Sequence, residues 1–214
     1  TYMVVFQNSD EIRPTWWFMW SVLFFDVFRW KITKYEKKDI YALEWWQSSF
    51  AEPVPEWLSE ISKNFSLRDA NYYPDIEKSS LKIKEFLDKT EYNIDGIVYI
   101  NQNIILDFLD YFWWIYFDEI KKELNSSNFS MMTSTLVESK LYKEWTLWTP
   151  KQILFDFVLT FMDKLKKKWD YSSYVKIILN WLKENEILVY DFHKNENDFF
   201  KKIWFKTDLV DISK

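Results

Sequence analysis

Three aspartates lie in the most apolar part of the chain, where they could do chemistry. Asp107, Asp110 and Asp118 interrupt a run of large apolar residues between positions 103 and 124. A carboxylate in apolar surroundings can have a raised pKa and act as a general acid. Together with a carboxylate from another element, for example Asp26, the three could also hold a divalent cation. Their spacing matches no metal motif, and the solvated side of a helix is the commoner reason for such a stripe. We therefore keep them as candidate ligand residues and predict no metal site.

A row of glutamates suggests a second kind of chemistry, the recognition of a charged partner. Glu52, Glu56 and Glu60 are spaced four apart, so they would share one face of a helix. Pro53 and Pro55 disturb the start of that helix and make the position of Glu52 less regular. Such a row is commonly just solvated. It is also the surface that a small acidic inhibitor presents to a basic enzyme, because complementary charge speeds association. We predict partner binding at these three residues.

One histidine and several groups of tryptophans complete the candidates. His193 follows Asp191 closely and could be a general base, but no serine or cysteine signature accompanies it, so a surface or capping histidine is the simpler interpretation. The tryptophans could form a stacking platform for sugars or bases, whereas helical spacing favours core packing, and an exposed group would suit protein binding. The groups are Trp16/Trp17/Trp20, Trp45/Trp46, Trp113/Trp114 and Trp145/Trp148.

Composition excludes several classes of function. The single glycine leaves no glycine-rich phosphate loop and no dinucleotide-binding fingerprint. Without cysteine there is no disulfide, zinc–thiolate site or cysteine nucleophile, and one histidine cannot supply a site that needs two imidazoles. We expect no cofactor. The net charge is −5, with the acidic excess in the N-terminal half, which argues against nucleic-acid binding and would suit a basic protein partner.

The elements that must position these residues are predicted to be mainly helical. The apolar run at 15–30 is interrupted by Asp26 and Arg29 and is too short to span a membrane, so it predicts a buried helix. A capping box at 149–152 starts another helix. Helices are predicted at 15–30, 40–50, 56–65, 75–89, 103–124, 149–169, 172–185 and 197–206, and short strands at 2–6 (an edge strand), 97–100 and 187–192.

We therefore predict a mainly α fold, a single-domain bundle of about seven or eight helices over residues 1–214 with at most two or three short peripheral strands. Its core is expected to be rich in aromatic rings, which make up 21% of the chain, and residues 125–135 are a possible internal linker. With no secretory signal pattern, we expect a soluble protein of the cytoplasm or an organelle matrix.

The function predicted from these features is a non-catalytic protein-interaction domain, most specifically an inhibitor or immunity-type protein that binds a basic toxin or nuclease. Two alternatives stay open. The chain could be a subunit of a larger assembly, or an enzyme or small-ligand binder with an aromatic pocket and an aspartate-based site. The absence of a catalytic motif makes an enzyme the less favoured class.

Overall fold

The structure, a computed structural model, describes most of the N-terminal half of the chain and a C-terminal segment. The described residues are 1–13, 16–29, 31–40, 43, 52–56, 59–60, 63–101, 103–112, 115–117, 121–132 and 171–202. The chain divides into two compact units. One comprises residues 1–101 and 180–214, and the other residues 102–179.

The described elements alternate between strands and helices. In chain order they are β1 (Tyr2–Arg13), β2 (Trp16–Phe28), β3 (Lys31–Asp39), a 3₁₀ helix (Leu67–Tyr72), α1 (Ile76–Leu87), β4 (Gly96–Asn101), α2 (Asn103–Phe112), β5 (Ile115–Phe117), β6 (Lys122–Leu124), α3 (Tyr171–Glu184), β7 (Ile187–Asp191) and α4 (Lys194–Lys202).

The first unit is built on a mixed five-stranded sheet with the order β3-β2-β1-β4-β7. Strands β1, β2 and β3 form an antiparallel meander. Strand β4 then pairs parallel with β1, and β7 pairs antiparallel with β4. A mixed sheet of this size makes the fold α/β, so the predicted mainly α helical bundle with peripheral strands is wrong.

The largest error is the segment predicted as a buried helix over residues 15–30, most of which is strand β2. Valine and the aromatic residues that dominate this segment favour a pleated strand. A strand with apolar side chains on both of its faces also reads as an unbroken apolar run, which is the pattern of a buried helix as well. The groups of large rings at Trp16, Trp17 and Trp20 therefore lie on a strand and not at helical spacing.

Other predicted elements have mixed outcomes. The helix at 75–89 and the strands at 97–100 and 187–192 are confirmed as α1, β4 and β7, and α3 occupies the helix predicted at 172–185. The strand predicted at 2–6 exists, but β1 lies in the middle of the sheet and not at its edge. The helix predicted at 103–124 ends at Phe112 and is followed by the hairpin β5–β6. The helix predicted at 149–169 lies outside the described residues.

The core of the first unit lies between one face of the sheet and the layer formed by α1 and the 3₁₀ helix. The strands contribute side chains such as Met3, Val22 and Ile97, and α1 contributes Ile83 and Phe86, all of them buried. Among the buried apolar residues that the structure describes, aliphatic side chains outnumber rings. The predicted aromatic-rich core is therefore wrong for this part of the chain.

Helix α1 begins at a well-formed cap, because the Asp75 carboxylate accepts a hydrogen bond from the backbone N–H of Lys78 at 3.1 Å. A buried hydrogen bond of 2.9 Å joins the Ser80 hydroxyl on this helix to the Tyr99 hydroxyl on β4. Burial raises the pKa of Tyr99, so its phenol stays protonated. These contacts fix the position of α1 on the sheet.

The second unit contains α2 and the hairpin β5–β6. Among its described residues, the buried apolar ones are Ile104, Ile105, Phe108, Leu109, Leu124 and Phe129. After β6 the chain turns at Asn125, whose side-chain oxygen accepts hydrogen bonds from the backbone N–H groups of Ser127 and Asn128, both at 3.1 Å. This turn occupies the first part of the possible linker at 125–135. Across the described residues, no helix combines the length and the apolar character that a membrane crossing would require.

Candidate functional site

The predicted glutamate row does not lie on one helix face. Glu52 lies in an extended segment and forms an isolated antiparallel bridge with Phe65. Its Oε2 is 2.6 Å from Lys82 Nζ, and this hydrogen bond holds the pKa of Glu52 below its usual range. Glu56 and Glu60 are exposed, outside any regular α-helix. Of the three, Glu52 therefore already has a cationic partner within the protein.

The predicted aspartate stripe is only partly described. Asp107 and Asp110 lie on α2, and both side chains are exposed to solvent. Asp110 accepts a hydrogen bond from the Ser126 hydroxyl. Asp118 lies outside the described residues. The exposure of the first two places them on the solvated side of α2 and not in apolar surroundings.

A different set of residues forms a transverse row across all five strands of the sheet. Strand pairing puts Tyr35, Phe25, Tyr2, Gly96 and Asp191 in register, one residue from each strand. Residues in register across a sheet point to the same face. The rings of Tyr2 and Phe25 stack with centroids 5.8 Å apart. This transverse row thus connects the aromatic side chains at one edge of the sheet to a carboxylate at the other.

The single glycine of the chain lies within this row. A Cβ atom at Gly96 would lie 2.7 Å from Cε1 of Tyr2 and 2.8 Å from the carbonyl oxygen of Tyr190, both closer than real contacts. The missing side chain lets the Tyr2 ring lie across β4, where its hydroxyl donates a 2.5 Å hydrogen bond to Oδ2 of Asp191. Burial and this hydrogen bond raise the pKa of Tyr2, so the phenol remains a donor.

Asp191 anchors a small polar cluster at the end of β7. Its buried carboxylate accepts a 2.7 Å hydrogen bond at Oδ1 from the backbone N–H of His193. The same oxygen lies 3.1 Å from Nδ1 of the His193 ring, whose side chain is 60% exposed. Glu196 follows on the first turn of α4, and one ligand atom from each of Asp191, His193 and Glu196 lies within 4.8 Å of the others. We call these three residues the Asp191 cluster.

The arrangement of the Asp191 cluster can orient a histidine. A buried carboxylate that contacts one imidazole nitrogen fixes the ring and leaves the other nitrogen directed away from it. The sequence pointed to His193 as a candidate base because Asp191 precedes it by two residues. The contribution of Tyr2 could not be inferred, because Tyr2 reaches Asp191 only through the pairing of β1, β4 and β7.

A groove of about 500 Å³, which we call the acidic groove, is lined by residues of β2 and β3 and by residues just before β1 and β4. The ring of Phe24 stacks on Tyr92 with centroids 4.3 Å apart. Lys38 Nζ is 2.8 Å from Glu36 Oε1, and this hydrogen bond holds the pKa of Glu36 below its usual range. The residues that line this acidic groove are Thr1, Phe24, Phe25, Asp26, Lys34, Tyr35, Glu36, Glu91, Tyr92 and Asn93.

Beside the acidic groove, the β2–β3 hairpin carries large apolar side chains in solvent. Val27, Phe28, Ile32 and Tyr35 are 43%, 63%, 61% and 54% exposed, respectively. The turn passes through Arg29, whose φ of 51° is left-handed, and its guanidinium lies 5.3 Å from the centroid of the Phe28 ring. We call Val27, Phe28, Ile32 and Tyr35 the hairpin patch.

Comparison with known proteins gives no assignment, since no protein-family model matches the chain and no curated protein is significantly similar to it in sequence.

Proposed function

We propose that this protein is a non-catalytic interaction domain of the inhibitor or immunity type, and that the hairpin patch contacts its protein partner. The observation that carries the proposal is the concentration of exposed apolar side chains on one hairpin. Isolated exposed apolar residues are ordinary, but a group of them beside polar residues is typical of a binding surface. Phe28 and Tyr35 would be its aromatic anchors.

The edge of the sheet favours recognition through side chains and not through strand addition. Among the described strands, β3 is the last of the sheet on this side. It carries Lys31, Lys34, Lys37 and Lys38, and lysines on an edge strand oppose pairing with a strand of another molecule. A partner is therefore expected to bind through contacts with the side chains of the hairpin patch more than through hydrogen bonds to the β3 backbone.

The acidic groove supports a partner with a basic surface. Asp26, Glu36 and Glu91 contribute three carboxylates to it. The nearby cations are Lys34 in the lining and Lys38 beside it, which pairs with Glu36 and lies 5.9 Å from the centroid of the Tyr92 ring. The Tyr92 ring forms part of the same wall, and a cationic side chain is attracted both to carboxylates and to the faces of aromatic rings. Glu56 and Glu60 are exposed and stay predicted partner contacts, whereas Glu52 is already paired with a lysine.

Affinity capture with matched variants tests the proposal. The wild-type protein is immobilised and exposed to lysate of the native host, and the retained protein is identified. We expect a basic protein, retained by wild type and lost with the double variant Phe28→Ser/Ile32→Ser. Leu81→Ser is the control, because Leu81 is also exposed (49%) but lies on α1. Equal retention by the double variant, or an acidic partner, would contradict the proposal.

The behaviour of the isolated protein separates an inhibitor from a subunit of a larger assembly. An inhibitor is expected to elute as a defined monomer in size-exclusion chromatography with light scattering, because its binding surface must be stable before it meets its target. A subunit without its neighbours is expected to aggregate through its apolar surface. Aggregation that persists in Phe28→Ser/Ile32→Ser would favour the assembly subunit.

A further inference from the structure

We propose that the Asp191 cluster binds a divalent transition-metal ion of the Zn²⁺ or Co²⁺ type. The three side chains offer one imidazole nitrogen and two carboxylate oxygens within 4.8 Å of one another. A mixed nitrogen and oxygen donor set suits Zn²⁺ and its neighbours, whereas Mg²⁺ and Ca²⁺ prefer oxygen ligands alone. Three protein ligands leave at least one coordination position for water or a substrate group.

The distance between the two closest ligand atoms fits a shared ion. Two ligands, each roughly 2.1 Å from a tetrahedral Zn²⁺, lie about 3.4 Å apart. Asp191 Oδ1 and His193 Nδ1 are 3.1 Å apart. An ion that replaces this direct contact, with the imidazole proton on Nε2, can therefore bridge them with a shift of a few tenths of an ångström. The third ligand needs the larger adjustment. Glu196 is exposed on the first turn of α4, and its side chain can rotate toward the other two.

The first ligand is already held in place by the sheet. Tyr2 donates to Oδ2 of Asp191 at 2.5 Å, which leaves Oδ1 on the side of His193. Hydrogen bonds from outer residues to a ligating carboxylate fix its orientation and strengthen metal binding. Gly96 makes this contact possible, because any larger side chain at that position would collide with the Tyr2 ring.

Glu196 is also available for this role. A glutamate at the third position of a helix commonly accepts a hydrogen bond from the backbone N–H of the capping residue. Here that N–H belongs to His193, and it donates to Asp191 at 2.7 Å instead.

The inference does not depend on the proposed interaction function, because the hairpin patch and the Asp191 cluster lie at opposite edges of the sheet.

Titration of the metal-free protein with Zn²⁺ by calorimetry, and with Co²⁺ by visible absorption, tests the proposal. We expect one ion per chain, with at least about tenfold weaker binding in His193→Ala and Glu196→Gln and about 10–100-fold weaker binding in Tyr2→Phe. Asp198→Asn is the matched control, because Asp198 is an exposed carboxylate on the same helix, and its affinity should equal that of wild type. Mg²⁺ should not compete.

Three results would overturn the assignment. The first is the absence of Zn²⁺ binding by the folded wild-type protein. The second is unchanged affinity in His193→Ala or Glu196→Gln, whose side chains are exposed and whose loss should leave the fold intact, as circular dichroism would confirm. The third is unchanged affinity in Tyr2→Phe, since the ion would then be bound by surface groups without the anchored Asp191 carboxylate.

Discussion

Replacement of Gly96 by alanine tests whether the missing side chain at this position is what allows the Tyr2 ring to reach Asp191. The added Cβ would lie 2.7 Å from a carbon of the Tyr2 ring and 2.8 Å from the backbone oxygen of Tyr190. Overpacking of this kind costs about 1–3 kcal/mol, and weakening a hydrogen bond to a charged acceptor such as Asp191 costs about 1.5–3 kcal/mol. The reduced freedom of the unfolded chain returns about 0.4–1 kcal/mol. We expect a net loss of about 2–4 kcal/mol.

Urea denaturation followed by circular dichroism measures this loss, and the melting temperature should fall by about 4–16 °C for a chain of this length. A double-mutant cycle then identifies the cause. In a Tyr2→Ala background one of the two collisions is absent, whereas the collision with the Tyr190 carbonyl oxygen remains. The hydrogen bond from Tyr2 to Asp191 is also absent there, so Gly96→Ala should cost less than half as much in that background. A cost below about 0.5 kcal/mol in the wild-type background, or an equal cost in both backgrounds, would refute the reasoning.

Three further predictions concern α1 and its contacts. Glu52→Gln should cost about 1 kcal/mol at neutral pH, because it removes the charge that pairs with Lys82. The pKa of Glu52 is lowered in the folded protein, so its contribution is present above the ordinary glutamate pKa and is lost as pH falls through the lowered value. Urea denaturation should show the two proteins converging below about pH 4. Tyr99→Phe should cost about 1–2 kcal/mol in thermal denaturation, because the buried Ser80 hydroxyl loses its 2.9 Å partner. Asp75→Ala removes the cap of α1 and should lower the urea midpoint by the equivalent of about 1 kcal/mol.

For each of these three predictions, one result would contradict the stated cause. A stability difference between Glu52→Gln and wild type that stayed constant from neutral to acidic pH would show that the charge of Glu52 is not the source of the effect. Tyr99→Phe as stable as wild type would mean that water or another group satisfies Ser80. Asp88→Ala is the control for the cap, because Asp88 follows the C-terminal end of α1; equal losses at both ends would contradict a specific role for Asp75.

Helix α1 was predictable from sequence because its signals are local. A capping aspartate at position 75, an amphipathic repeat and the absence of glycine and proline within the helix all agree with one structure. Strand β2 was not predictable in this way. Its apolar run has no polar face, and length and periodicity do not separate a strand with apolar side chains on both faces from a buried helix. The β-branched and aromatic residues were the available signal, and they favoured a strand.

The Asp191 cluster could be predicted only in part. Asp191 and His193 are two residues apart, so their proximity can be inferred from the local sequence. The contact with Tyr2 depends on a separation of 189 residues and on a parallel pairing of β1 with β4 that no local pattern specifies. The helix implied by the regular spacing of Glu52, Glu56 and Glu60 was wrong for a related reason, because Glu52 forms a bridge with Phe65 instead. Partner binding by these residues stays a prediction.

The order of the strands in the sheet affects how the chain can fold while the ribosome synthesises it. The partner of β4 on one side, β1, precedes it in the chain, but its partner on the other side, β7, begins only at Ile187. At about 5–20 residues per second, the nascent chain spends roughly 4–17 s between the end of β4 and the start of β7. During that interval the outer hydrogen-bonding groups of β4 have no β7 to pair with, and pairing between neighbouring nascent chains competes with correct closure. The yield of folded protein should therefore depend on translation speed and on chaperones that cover this strand before its last partner emerges.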